Sequence, residues 1–202
     1  MMKVLILMGS PYPHLGGMST HVKFLEEGLK KRGHEVYIIS LSSYPRVVRY
    51  LLAGVWMFFN KVKRGLGHFI RNLIYVLITN VFVTIFCSVK KVDIIETEHV
   101  TSFHSTWLSR ALLRIPVNLT VHGYPTYERV MNRYLDKNSH LLITLSIIEE
   151  IKAYSEANYV LTVDSRIKRY ITSLVRRSNI LTLPNFVDVK NFKFIFKNVS
   201  RL

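Results

Sequence analysis

A chain of 202 residues suffices for one sizeable domain and not for two of ordinary size. With 49% hydrophobic and 12% aromatic residues, disorder is excluded. Lys and Arg number 28 against 13 Asp and Glu, and this formal +15 draws phosphates, nucleic acids or anionic lipid heads without choosing among them. The single cysteine, Cys87, excludes an internal disulfide framework and a cysteine-based zinc site, and a reduced, cytosolic-facing protein is expected.

Lys3 to Met8 is an apolar run that stops at Gly9-Ser10-Pro11, too short for a signal peptide and suited to a fully buried strand. A loop with Gly9, Pro11, Pro13, Gly16 and Gly17 follows. From about Ser19 a helix places Val22, Leu25 and Leu29 on one face, and Gly33 stops it after Lys30-Lys31-Arg32. Val36 to Leu41 is the next strand, so the opening is a βαβ unit of a parallel sheet. Val92 to Ile95, Val117 to Val121, Tyr159 to Val163 and Ile180 to Leu183 read as further strands. Helices are predicted over Phe103 to Leu113, over Tyr127 to Ala157 with a break at Asn138-Ser139, and over Ser165 to Val175 with Asp164 or Ser165 as N-cap. Strands alternating with helices predict an α/β protein: one doubly wound parallel sheet with helices on both faces.

Residues 44–91 do not belong to a minimal sheet. No acidic residue occurs between Val36 and Val92, and the stretch divides at Gly65 and Gly67 into two helices. Tyr50, Leu51, Val55, Trp56, Phe58 and Phe59 make the first broadly apolar; the second carries an uncharged run from Asn72 to Val89. Three readings stand open: buried layer helices, an interfacial pair on an anionic membrane, or a spanning helix interrupted by Asn72, Thr79, Asn80 and Thr84. The first two combine if 44–64 meets lipid through Arg46, Arg49, Trp56, Phe59, Lys61, Lys63 and Arg64 while 73–89 lies in the core. Cys87, in an apolar run, is core filler.

Ligands of open parallel sheets bind beyond the C-terminal strand ends. Gly9 to Gly17, Glu96 to His99, His122 to Tyr124 and Pro184 to Asp188 lie there. Gly16-Gly17 before a helix is either a turn or a cradle where backbone N–H groups meet phosphate or sugar hydroxyl. G-x-G-x-x-G, the P-loop and the G-x-S-x-G elbow are absent. His122, directly after a strand, is a candidate catalytic or structural group, as is His99 beside Glu98. Glu98, His99, His104 and His122 show no recognised metal-ligand spacing, so no metal is expected.

Lys3 to Met8, Gly16-Gly17, His21-Val22, Leu25 and Lys31-Arg-Gly-His-Glu-Val36, followed by Val92-Asp-Ile-Ile95, Thr120-Val-His-Gly123 and Tyr159 to Ser165, and closing on Ile180-Leu-Thr-Leu-Pro-Asn185 with Val187-Asp188 and Phe192, resemble the N-terminal half of a family 4 glycosyltransferase of GT-B architecture. The resemblance implies a Rossmann-like half, spanning 1–202, that shapes the acceptor site. A C-terminal half, carrying an E-x7-E carboxylate pair, would hold most of the nucleotide-sugar; it is expected on another polypeptide, or lost. It further implies that Gly16 and Gly17 border donor phosphates and acceptor, that His122 and Gly123 approach the transferred sugar, that Glu98 and His99 line the acceptor side, and that Asn185 closes the crevice. Glu96 and Glu98 stand where the family often has histidines, and Phe186 replaces a glycine after Asn185.

The expectation is therefore an acceptor-side domain of a retaining hexosyltransferase, peripheral at the cytosolic membrane face. It would act on a lipid-linked or glycan acceptor, with a nucleotide-sugar donor and no further cofactor, and be inactive alone. The alternative is a non-catalytic membrane-docking scaffold subunit. A nucleic-acid partner is disfavoured, because the longest acid-free stretch is apolar rather than a solvated basic face.

Overall fold

The computed structural model describes residues 1–185. Six strands, β1 (Lys3–Leu7), β2 (Glu35–Ile39), β3 (Ile94–Thr97), β4 (Val117–Val121), β5 (Val160–Thr162) and β6 (Ile180–Thr182), form one sheet in the order β2-β1-β3-β4-β5-β6, every pair parallel. The strand order reverses between β1 and β3, which places the topological switch point, and its crevice, at the C-terminal ends of those two strands. All six strands expected from the sequence are present.

Alternation along β1 divides the interior. Ile6 and Met8 pack with Val22 of helix α1 (Gly17–Lys31) on one face. Leu5 and Leu7 join Ile95, Val117, Leu119, Phe103, Tyr154 and Ile171 in the larger cluster. The register pairs Ile6 with Glu96 and Glu96 with Asn118, so on β3 and β4 the α1-side face changes from apolar to polar. Glu96 and Asn118 thus give this part of the sheet side chains suited to hydrogen bonding rather than packing.

The 44–91 segment is a helical hairpin, α2 (Arg46–Val62) and α3 (Leu66–Lys90). The turn is at Gly65; Gly67 lies inside α3. A Cβ at Gly67 would sit 2.2 Å from the Trp56 carbonyl oxygen and 2.9 Å from the Asn60 nitrogen, so only glycine lets the two backbones approach this closely. The polar residues that count against a spanning helix all turn inward. Thr79 accepts from Tyr44 Oη at 2.9 Å, and Thr84 meets Ser109 Oγ at 3.0 Å. Asn80 donates to the His104 carbonyl at 3.1 Å and accepts from Leu108 N–H at 3.1 Å.

What remains outside is a stripe at helical spacing, Leu73, Leu77, Val81, Ile85 and Val89, all exposed. The expected assignment of 73–89 to the core therefore holds for one face of α3 only. By length and composition α3, about 37 Å long, is sufficient to cross a membrane. Cys87 is buried, and burial pushes its thiol up to about 12, as expected of core filler.

The expected helix over 103–113 is two, α4 (Val100–His104) and α5 (Trp107–Leu113), because Ser105 and Thr106 hydroxyls bond back to the Thr101 and Phe103 carbonyls. The long 127–157 stretch is α6 (Pro125–Met131) and α7 (His140–Glu156), with a wider break than Asn138-Ser139. Asp164 caps α8 (Ser165–Leu174), accepting from Arg166 N–H at 2.5 Å.

Candidate functional site

Three elements converge at the switch point: the end of β3, the end of β4 and the second turn of α1. Glu98 ends β3 and His122 ends β4, both on the polar α1-side face. Their Oε2 and Nε2 atoms are 2.7 Å apart and share a hydrogen. His21 of α1 brings its Nε2 to 3.9 Å from the same oxygen, and its ring meets that of His122 edge to face, centroids 5.1 Å apart. Asn185 adds a side-chain hydrogen bond to His21. Glu98, His122 and Asn185, all expected site residues, are thus gathered around a residue not on that list.

Burial sets the protonation of this cluster. His122 is pulled down to about 4, chiefly by desolvation, with Glu128 opposing. His21 is lowered, again by desolvation, against the pull of Glu98. The Glu98 carboxyl is raised by the same cause. Two strand residues earlier, Glu96 is raised by burial and by Glu98, and its Oε1 accepts from Thr120 Oγ1 at 2.7 Å. Burial thus favours the uncharged forms of Glu98 and His122 alike. Glu98 Oε1 is buried with no hydrogen-bond partner among the described residues. Glu98, His122 and Gly123 all line a niche of about 40 Å³.

The glycine pair meets the crevice from the α1 side. Gly16, at φ +147°, is the N-cap of α1, a conformation side-chain-bearing residues avoid. Gly17 opens the helix with nothing within 4 Å of where a Cβ would be, and the first turn contains no acidic residue. The positive end of the helix dipole is left open there. A Cβ on Gly123 would run into the Glu128 carboxylate, whose Oε1 accepts from Tyr124 N–H at 3.1 Å.

His99 takes another role. Its Nδ1 accepts from Thr101 N–H and caps α4, and burial lowers it to about 3. His104 likewise turns away, to the Glu149 carbonyl. Glu98, His99, His104 and His122, for which no metal is expected, do not form a common ligand group among the described residues. Instead the ligand atoms of His21, Glu98 and His122 lie within 4.8 Å of one another, a donor set chemically able to take a divalent cation. The hydrogen bond between Glu98 and His122 engages one carboxyl oxygen, Oε2, and leaves Oε1 without a partner among the described residues.

Beside the niche, and sharing Met18, His99, Pro125 and Glu128 with it, lies a cavity of about 640 Å³ between the strand ends and the helical hairpin. That is the size of a pocket for a substantial ligand. Of the expected membrane-contact residues, Arg46, Lys61, Lys63 and Arg64 are exposed and Phe59 is half-buried. Arg49 and Trp56 instead line this cavity, because their face of α2 is turned to the sheet. Sequence reasoning missed His21, Arg71 and Arg129. For His21 the signal was a histidine one turn after the glycine pair; the two arginines carry no local signal. Phe186, Val187, Asp188 and Phe192 lie outside the described residues.

Among curated proteins none matches this sequence. The model of the family described as Glycosyltransferase Family 4 matches residues 15–191, which takes in the glycine pair, the hairpin and every member of the strand-end cluster. The all-parallel sheet flanked by helices is consistent with that match, and the chain belongs to glycosyltransferase family 4.

Proposed function

We propose that this chain is the acceptor-side half of a retaining hexosyltransferase. It would work at the cytosolic membrane face on a lipid-linked or glycan acceptor, with the nucleotide-sugar held by a second Rossmann-like half. The observation that carries the reading is Glu98: a buried side chain with one oxygen engaged by His122, the other without a partner among the described residues, and a place in the wall of a niche adjoining a large cavity. A sugar hydroxyl in that niche would donate to Glu98 Oε1, while His122, largely neutral, fixes the other oxygen.

In the retaining chemistry implied by family membership, the departing phosphate oxygen takes the acceptor proton on the same face of the sugar. The chain's part is orientation and electrostatics. The backbone at Gly16-Gly17 admits the phosphate to the open N-terminus of α1, where the dipole opposes the developing negative charge. Glu98 and His122 position the sugar. The apolar stripe on α3 and the exposed basic residues of α2 support docking on an anionic bilayer.

The test is sugar transfer to membrane-extracted acceptor by the reconstituted pair of halves. His122→Ala and Gly17→Val should each lower transfer at least about a hundredfold, as removal of a transition-state donor does elsewhere. Unchanged transfer in both variants would instead establish the scaffold reading.

A further inference from the structure

The large cavity has a charge imbalance that the sugar-positioning cluster does not use. Three arginines line it from three helices: Arg49 of α2, Arg71 of α3 and Arg129 of α6. Arg129 is buried and engaged, with Ser146 Oγ, with Glu149 at 3.2 Å and with Thr101 Oγ1 at 3.4 Å. Arg71 reaches only the side-chain oxygen of Asn72, at 2.9 Å and 3.3 Å. Arg49 has its Nε buried without a hydrogen-bond partner. Among the described residues neither Arg49 nor Arg71 has a carboxylate within ion-pair distance. The one carboxylate lining the cavity, Glu128, is bonded to Tyr124 N–H.

The imidazoles at this site register the same field. His68 is lowered to about 3 by burial, then by Arg129 and Arg71, and His99 to about 3 by burial and then the same arginines. Both are neutral at physiological pH, so the positive charge resides on the guanidiniums. Guanidiniums withdrawn from water without a counter-charge are unfavourable unless an anion completes them, and their planar fork matches phosphate oxygens. The remaining wall is apolar, with Met18, Leu41, Leu52 and Trp56 along it.

We propose that this cavity binds the phosphate or diphosphate of an acceptor between Arg49, Arg71 and Arg129, with that acceptor's apolar tail against Leu41, Leu52 and Trp56. The identity of the ligand as acceptor rests on the acceptor-side reading above; the existence of an anion site with an apolar flank does not.

The experiment measures binding to the purified chain by calorimetry, with transfer assayed separately. The probes are decyl diphosphate below its micellar concentration, inorganic pyrophosphate, uncharged decyl glucoside and UDP. Decyl diphosphate should bind at least tenfold more tightly than each of the other three. Arg71→Gln should weaken it about tenfold or more, with Arg71→Lys restoring part. Arg49→Gln, on the half-buried face of α2, supplies a second variant if Arg71→Gln does not fold, as judged by circular dichroism.

Equal affinity for decyl glucoside, or no loss in either glutamine variant, would overturn the anion site. Equal affinity for pyrophosphate would overturn the tail, and tighter binding of UDP would make the cavity a donor site. If decyl diphosphate binds as expected while His122→Ala leaves transfer unchanged, the anion site stands and the acceptor-side reading falls.

Discussion

The strand-end crevice and the outer face of the α2–α3 hairpin depart from the ordinary sorting of side chains in opposite directions. In the crevice, carboxylates are withdrawn from water, Glu96 at 7% exposure and Glu98 at 1%. On the hairpin, aliphatic side chains are left in it, Ile85 at 60% and Val89 at 72%. Neither follows from folding alone. A carboxylate is buried where its proton and hydrogen bonds have to be held in place, and an apolar stripe is left open where another apolar phase replaces water. α3 joins the two cases: Thr79, Asn80 and Thr84 bond inward, Val83 and Cys87 fill the core, and a stripe of aliphatic side chains is left facing out.

Four changes would break or sharpen that contrast, and the largest effect is expected at Gly67. Gly67→Val drives side-chain atoms into the Trp56 carbonyl and should separate the hairpin. Thermal unfolding should show a loss of about 3 kcal/mol, roughly 6–12 °C for a chain of this size. Next is the double change Leu77→Lys with Ile85→Lys on the exposed stripe. Flotation with anionic liposomes should fall at least about tenfold, while the melting temperature moves by no more than about 0.5 kcal/mol equivalent. An unaffected flotation would remove lipid as the covering phase.

Glu96→Gln probes the crevice. Burial and Glu98 raise the folded carboxyl above its ordinary 4.5, so the folded chain keeps a proton that the unfolded chain releases, and stability falls as pH rises from there through the raised value. Glutamine removes that dependence and can still accept from Thr120. The variant should therefore gain more over the parent at pH 8 than at pH 5 in paired melts. An equal gain at both would mean that Glu96 is not held protonated. The smallest effect is expected for Tyr75→Phe, which deletes one hydrogen bond, Tyr75 Oη to the Met8 carbonyl at 3.2 Å, and should lower stability by about 1 kcal/mol in denaturant titration.

Much of the sheet was legible because each strand is a short apolar run ended by a turn residue, as at Met8-Gly9 and Val121-His-Gly123. Helix breaks were less so. No glycine or proline stops a helix between Phe103 and Leu113; the interruption combines Ser105 and Thr106 bonding back to the Thr101 and Phe103 carbonyls with Asn80, far away in sequence, accepting from Leu108 N–H. Glu98 and His122 could be read as strand-end residues on sight, but their meeting depends on β3 and β4 being neighbours. Arg49 misled for a related reason. A basic residue on an apolar helix looks like a lipid contact until the rotation of that helix is known, and only tertiary packing sets it.

The bond from Tyr75 to Met8 reaches further than its strength suggests. Met8 directly follows β1, and the loop to Gly16-Gly17 starts at the next residue, so one anchor of the glycine loop is fastened to α3. One hydroxyl thereby joins the start of the glycine loop to the same helix whose outer stripe is exposed.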